Sequence, residues 1–216
     1  LKNEIQNRGG VVREYLFLDE LSKNPGEQNG LRLLLALDSG ILHLKDNDDF
    51  YGRFAVSKEI SLHSEEALKH LHGLLDYNSD PVSEDEMVLK LAGAVKERSY
   101  PYSQDEISRW LFISKRIAKN QFGEWGLSNA PTIRPRGVRD LAYLVMRRHG
   151  SPMHFREVAG SIKQFLKEKA HDQTVHNELI KDRRFVLVGR GLYALNEWGY
   201  QPGVVRDVIR AVIAKH

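Results

Sequence analysis

Residues 152–198 have the sequence PMHFREVAGSIKQFLKEKAHDQTVHNELIKDRRFVLVGRGLYALNEW, in which two amphipathic segments precede a glycine-containing hairpin. The chain turns at residues 150–152, and the first segment then places Met153, Val158 and Ile162 on one helical face. This pattern predicts a helix that buries one side.

A second helix is predicted from about Asp172, whose carboxylate can cap the amides that follow it. Its apolar stripe consists of Val175, Leu179 and Ile180. Its other face is polar and carries Gln173, Thr174, Asn177 and Lys181. We therefore expect one side of this helix to pack and the other to stay open.

A β-hairpin is predicted after the second helix. Residues 185–188 and 192–195 are rich in branched and aromatic side chains, which favour strands, and Gly189-Arg190-Gly191 supplies glycines for a tight turn. Helix, turn, helix and hairpin in this order predict a winged helix-turn-helix. The hairpin is then the wing, and Arg190 lies at its tip.

The same part of the chain resembles the HARE-HTH family. The similarity lies in residues 152–159, in Arg184-Phe185 and in VGRGLYAL at 188–195, and it covers about residues 137–200. That family includes the amino-terminal domain of the bacterial RNA polymerase delta subunit. The resemblance implies a winged helix that acts in transcription, where delta-like relatives use this fold to contact polymerase.

Residues 122–127 and 134–140 are similar to bacterial proteins in which a HARE-HTH domain follows region 4 of a sigma factor. Leu1 is not an initiator methionine. We therefore expect the sequence to be part of a longer chain, in which a sigma-like segment could precede it.

An apolar spacing of seven, five and four residues occurs three times, and recurring spacing is typical of repeated modules. The three sets are Ile5, Val12, Phe17 and Leu21; Val95, Tyr102, Ile107 and Leu111; and Met146, Met153, Val158 and Ile162. A turn follows the first residue of each set, at 8–10, 98–100 and 149–151. The spacing predicts a mainly α protein with small β-hairpins, built of tandem winged helix-turn-helix modules. The alternative is chance, because apolar residues at helical spacing are common.

The expected domains are residues 1–60, 61–134 and 135–216. In the first, a helix over 28–37 precedes strands at 41–44 and 50–56, which flank an acidic turn at 45–49. In the third, a closing helix is expected over 204–214.

The second domain is expected to begin with a linker helix that opens at Ser64 and runs through Leu75. A capping box at residues 83–86 then precedes a helix over 87–95. A short helix over 114–120 and an irregular wing complete the domain. The wing is expected to combine residues 126–127 with 131–133.

Positive charge is concentrated in the third domain, although the net charge of the chain is only +3. Residues 1–60 hold eight Lys and Arg against ten Asp and Glu, and residues 61–134 hold nine against eleven. Residues 135–216 hold fifteen against eight, and ten of the fifteen are arginine, which can donate two parallel hydrogen bonds to a phosphate. This distribution favours nucleic-acid binding by the third domain over a merely solvated basic surface.

A winged helix usually places its second motif helix in the major groove and its wing on the backbone or minor groove. The expected base readers are Gln173, Thr174 and Asn177, because Gln and Asn can bond adenine and Thr can meet a thymine methyl. The expected phosphate contacts are Lys181, Arg183, Arg184 and Arg190. The alternative for the polar residues is an ordinary exposed helix face.

Signals of catalysis are poor. The chain has no cysteine, which excludes disulfides, thiolate metal sites and cysteine nucleophiles and fits a reducing, cytoplasmic location. His70 and His72 are two residues apart on a predicted helix and point apart, while His171 and His176 have no carboxylate at metal-ligand spacing. No apolar run approaches the ~20 residues that span a bilayer, so no membrane partner is expected.

The sequence therefore predicts a non-catalytic bacterial transcription factor or RNA polymerase-associated protein that uses no cofactor or metal. Its expected partner is duplex DNA, bound through the third domain. The alternative is a protein-interaction module that binds polymerase as delta-like relatives do, without touching DNA. RNA polymerase is thus the second expected partner.

Overall fold

The structure is a computed structural model and describes residues 1–76, 80–97, 102–165, 167 and 169–203. The described chain is mainly helical, with three small antiparallel sheets. It divides into two compact units, Leu1–Ile133 and Arg134–His216. The turn predicted at 98–100 and the helix predicted over 204–214 lie outside the described residues. No described helix is both long and apolar enough to cross a membrane.

The first unit begins with three helices and a three-stranded sheet. Its elements are α1 Lys2–Asn7, β1 Val11–Arg13, α2 Glu14–Leu21, α3 Pro25–Leu37, β2 Leu42–Leu44 and β3 Arg53–Ala55. The strand order is β1-β3-β2, with both Val12 and His43 opposite Phe54. Helix α3 starts three residues before the predicted helix because the Asn24 side chain accepts the Gly26 amide hydrogen at 2.8 Å.

The predicted apolar set of this region is buried except for its last member. Ile5, Val12 and Phe17 pack together, whereas Leu21 is exposed. Leu21 is the last residue of α2, and the chain turns to extended backbone at Ser22. Its side chain therefore lies beyond the covered face of the helix.

In the rest of the first unit, the described residues form three further helices, a 3-10 helix and a two-stranded hairpin. These are α4 Lys58–Leu74, α5 Glu84–Glu97, α6 Gln104–Ser108, the 3-10 helix Arg109–Ile113, β4 Ile117–Lys119 and β5 Trp125–Leu127. The prediction that a helix opens at Ser64 was wrong. Helix α4 begins at Lys58, where the Ser57 hydroxyl accepts the Ile60 amide hydrogen at 3.2 Å, and Ser64 is buried within the helix.

The helix predicted over 114–120 and the irregular wing after it were also wrong. Residues 117–119 form β4, which pairs with β5 so that Ile117 lies opposite Leu127. The Ser114 hydroxyl accepts the amide hydrogens of Arg116 and Ile117, which turns the chain away from helix. Asn120 and Gly123, with φ of 85°, then build the turn between the strands.

Residues from both halves of this unit share one core. Val11 and Phe50 pack in the same cluster as Leu68, Trp110 and Trp125. The Trp110 indole also donates a hydrogen bond of 2.8 Å to the Gly9 carbonyl. The two regions expected to be separate modules are therefore held together by buried contacts.

The acidic turn at residues 45–49 is held by residues of the second half. Lys115 forms an ion pair with Asp46, and Arg116 contacts Asp49 at 2.9 Å. The Lys115 amide also donates to the Asp49 carbonyl at 2.8 Å. Two of the three carboxylates of this turn thus have cationic partners.

The second unit repeats the order of the first 55 residues. Its elements are α7 Val138–His149, β6 Met153–His154, α8 Phe155–Phe165, α9 Asp172–Lys181, β7 Phe185–Gly189, β8 Leu192–Leu195 and the 3-10 helix Asn196–Trp198. The strand order is β6-β8-β7, with Met153 opposite Tyr193. Gly150 ends α7 in the left-handed region, at the predicted turn.

Three details of the second unit differ from the prediction. Met153 is buried in strand β6 and not on a helix, since α8 starts at Phe155. Asp172 is the first residue of α9, and His171 occupies the capping position without a side-chain hydrogen bond. Ile180 is exposed, because at its position on α9 the side chain points away from the face that buries Val175.

Candidate nucleic-acid interface

Helix α9 presents a polar face that the packing of the unit leaves uncovered. Val175 and Leu179 are buried, which turns the opposite side of the helix outward. Four predicted site residues are exposed there: Gln173, Thr174, Asn177 and Lys181. The Gln173 amide donates to the Asn177 side chain at 3.1 Å, so these two groups already lie side by side. Together they offer the donors and acceptors that base edges require.

The hairpin after α9 carries Arg190 at its exposed tip, as predicted. Gly191 has φ of 69°, and the pairing register shifts between Leu187 and Gly189. Within the described part of the chain, Arg190 has no ion-pair partner. A cation without a carboxylate partner can reach a phosphate without first breaking a contact.

Arg183 and Arg184 are neighbours with different surroundings. Arg183 is exposed and forms no ion pair with a described residue. Arg184 turns inward, and its guanidinium lies 2.8 Å from a carboxylate oxygen of Asp140 and 2.7 Å from one of Asp182. Arg184 therefore has two carboxylate partners where the sequence prediction gave it a phosphate.

The charges of this cluster shift one another. The Asp182 hydrogen bond, opposed by burial and supported by Asp140, raises the pKa of Arg184 above its ordinary value. Burial alone would raise the pKa of Asp182, but the hydrogen bonds and charge of Arg184 outweigh it and lower that pKa. Both groups are therefore charged at neutral pH, and Arg184, the residue before β7, links the start of that strand to Asp140 of α7.

A ladder of rings links α9 to the hairpin. His176 stacks on Phe155 with centroids 4.4 Å apart, and Phe155 lies 4.5 Å from His154. A Cβ atom at Gly191 would lie only 2.7 Å from the His154 Nε2 atom, so the hairpin passes directly over this ring. The ladder fixes the spacing between the polar face of α9 and the hairpin.

No sequence pattern predicted this ladder or singled out Arg156 as a site residue. The rings belong to three different elements, so no local pattern joins them. Arg156 is exposed beside the ladder and lies 3.8 Å from Asp172. Its sequence signals were its membership of the arginine-rich third domain and its place in residues 152–159, which carry the resemblance to HARE-HTH domains.

The histidines considered as metal ligands do not gather. No group of three or more His, Asp or Glu side chains able to hold a metal ion occurs among the residues that the structure describes. His171 lies at the start of α9, and His176 belongs to the ring ladder.

The exposed face of α9, the hairpin tip and Arg183 thus form the candidate interface. Comparison with known proteins adds no assignment. No protein-family model matches the chain, and no curated protein matches it.

Proposed function

We propose that the chain is a non-catalytic transcription protein, built of tandem winged helix-turn-helix modules, that binds duplex DNA through its second compact unit. The order helix, strand, helix, helix, strand, strand occurs in residues 2–55 and again in 138–195. In both sheets the first strand pairs with the last. This arrangement and the resemblance of residues 137–200 to HARE-HTH domains support the fold part of the proposal.

The observation that carries DNA binding is the polar face of α9 beside a hairpin whose tip arginine is unpaired within the described chain. A helix in the major groove would use Gln173 and Asn177 for bases, while Arg183 and Arg190 would meet phosphates. The ring ladder would keep the two sets at a fixed distance. The excess positive charge of residues 135–216 also favours phosphate binding by the second unit.

The direct test is a fluorescence anisotropy titration of the whole chain with duplex DNA at two salt concentrations. Binding through phosphates releases counterions, so the affinity is expected to fall steeply as salt rises. Affinity that does not change with salt, or no binding at low salt, would contradict the proposal.

Replacing Arg190 with alanine is expected to weaken binding to every duplex and to make the salt slope shallower by about one unit, the value for one lost phosphate contact. Sequence preference should survive, because phosphates carry no base information. Arg109→Ala is the matched control, since Arg109 is also exposed and lies in the first unit. Equal slopes for the two variants would remove Arg190 from the interface.

Replacing Asn177 with alanine is expected to cost about 1–3 kcal/mol on the preferred site and very little on random duplexes, because bidentate base contacts discriminate by that much. A selection from randomised DNA supplies the preferred site, and competition binding measures the difference. An equal loss on all duplexes would mean that Asn177 does not read bases.

The second candidate is a protein-interaction module that binds RNA polymerase without DNA contact. Ile180 on α9 and Leu187 on β7 favour it, because both are large apolar side chains exposed in the same unit. If the Arg190 and Asn177 variants bind DNA like the parent but no longer retain polymerase in a pull-down, this second candidate is correct.

A further inference from the structure

Helix α3 of the first unit is apolar on two sides, and only one of them is covered. Leu35 is buried and Leu31 packs beside it in the core. On the opposite side, Leu33, Leu34 and Leu37 are 61%, 57% and 73% exposed. With Gly30 they follow the spacing i, i+3, i+4, i+7, which places them in one stripe along the helix. Packing against the described residues does not account for this stripe, and exposed apolar patches commonly mark interaction sites.

The stripe is unsuited to nucleic acid. Helix α3 precedes the hairpin of its own half just as α9 precedes β7, but it presents leucines where α9 presents Gln173 and Asn177. Its one cation, Arg32, is held by Glu14 at 2.8 Å and by Asn29 at 3.1 Å. Leucine side chains can neither pair with base edges nor neutralise phosphates.

The charges beside the stripe indicate what covers it. Glu27 lies in the first turn of α3 and Asp38 directly follows its last residue, so the two carboxylates lie at the two ends of the leucine stripe, and both are exposed. The Lys2 ammonium and the Asp38 carboxylate both lie beside Gly40, but no ion pair joins them among the described contacts. A partner with cations beside its apolar residues would therefore gain from charge as well as from burial.

A second copy of the chain fits less well. It would bring the same two carboxylates and no free cation from its own α3. Three leucines on a 13-residue helix also offer less than the ~800 Å² per partner of a standard interface. The helix is about 20 Å long at 1.5 Å per residue, which is the footprint of one helix.

We propose that α3 docks a basic amphipathic helix of a partner protein, with Leu33, Leu34 and Leu37 as the apolar anchors. The partner's apolar residues would pack between the leucines, and its lysines or arginines would lie beside Glu27 and Asp38. Gly30 permits close approach, since nothing lies within 4 Å of the position that a Cβ atom would occupy there. None of these residues belongs to the candidate interface of the second unit, so this proposal is tested independently of DNA binding.

The probe is a fluorescein-labelled 18-residue peptide with leucines at i, i+3, i+4, i+7 spacing and lysines on both flanks. A second peptide has the same leucines with glutamates in place of the lysines. Anisotropy titrations with the whole chain are expected to show binding of the lysine peptide and at least tenfold weaker binding of the glutamate peptide. The double variant Leu33→Ser, Leu37→Ser should bind the lysine peptide with at least tenfold lower affinity than the parent. The double variant Glu27→Gln, Asp38→Asn should show a smaller difference in affinity between the lysine peptide and the glutamate peptide.

The control variant is Leu89→Ser, because Leu89 is similarly exposed on α5 and lies away from α3 in the sequence. It should bind the lysine peptide like the parent. Equal binding of the two peptides, no binding of either, or full binding by the double leucine variant would overturn the proposal. Two other results would also overturn it: a dimer of the parent in sedimentation, or binding of the parent to anionic lipid vesicles, if the double leucine variant loses that dimer or that binding.

Discussion

Trp110→Ala is expected to lower the free energy of unfolding of the first unit by about 3–5 kcal/mol, the cost of deleting a large buried aromatic ring. The ring is fully buried and makes an edge contact with Tyr102 at 4.9 Å between centroids. Its N–H also satisfies the Gly9 carbonyl, so the substitution leaves both a cavity and an unpaired acceptor. Hydrogen exchange measured by mass spectrometry is expected to show faster exchange throughout residues 1–133.

Peptides from residues 138–195 are the internal control for this measurement and should keep their exchange rates. Trp110→Phe is an intermediate case, because it keeps one aromatic ring, leaves a smaller cavity than alanine and loses the hydrogen bond, which alone costs about 1–3 kcal/mol. Gly9→Ala should disturb the same contact at its acceptor residue. Gly9 has φ of 84°, and an added Cβ would clash with the Glu106 carbonyl. Unchanged exchange in Trp110→Ala would show that the two halves of the first unit are not joined through this contact.

Arg184→Ala is expected to destabilise the second unit by about 3 kcal/mol, the lower end of the cost of removing one partner of a buried ion pair. The lower end applies because the Arg184 side chain is 33% exposed, whereas that of Asp140 is 6% exposed. Without Arg184, Asp140 keeps only the Arg136 amide as a hydrogen-bond donor among the described contacts. Arg183→Ala is the matched control and should change stability by less than about 0.5 kcal/mol.

The same variant should change the response to acid. The lowered pKa of Asp182 means that its contribution is fully present above the ordinary carboxyl pKa and is lost as pH falls through the lowered value. The second unit of the parent should therefore lose stability steeply below about pH 4, and the Arg184 variant should lose less over that range. Parallel curves for parent and variant would show that Arg184 does not hold Asp182 ionised.

The apolar spacing was the strongest guide to the fold. It identified core residues in all three regions, including Ile5, Ile107 and Met146, because burial at helical spacing leaves a direct trace in the sequence. It failed for the hairpin that begins at Ile117, because a three-residue strand is too short to show alternation. It also placed Met153 on a helix, since one buried residue before a helix is compatible with either structure.

The candidate interface could be predicted only as far as local patterns reach. The polar face of α9 follows from the positions of Val175 and Leu179, whose burial leaves Gln173 and Asn177 outside. The contact between Arg184 and Asp140 could not be foreseen, because Asp140 is 44 residues away in the sequence and belongs to helix α7. Binding of DNA by these residues stays a prediction.

The hydrogen bond between Trp110 and Gly9 also bears on the order in which the chain can fold. Its two ends are 101 residues apart, so the Gly9 carbonyl cannot accept this hydrogen bond until Trp110 has been synthesised. The ion pairs of the acidic turn at residues 45–49 likewise cannot form until Lys115 and Arg116 have been synthesised. Contacts of such long separation slow folding, because the loop between them must close before they form. A ribosome-bound chain that ends near residue 60 is therefore expected to remain protease-sensitive, and protection should begin only after Trp110 has left the exit tunnel.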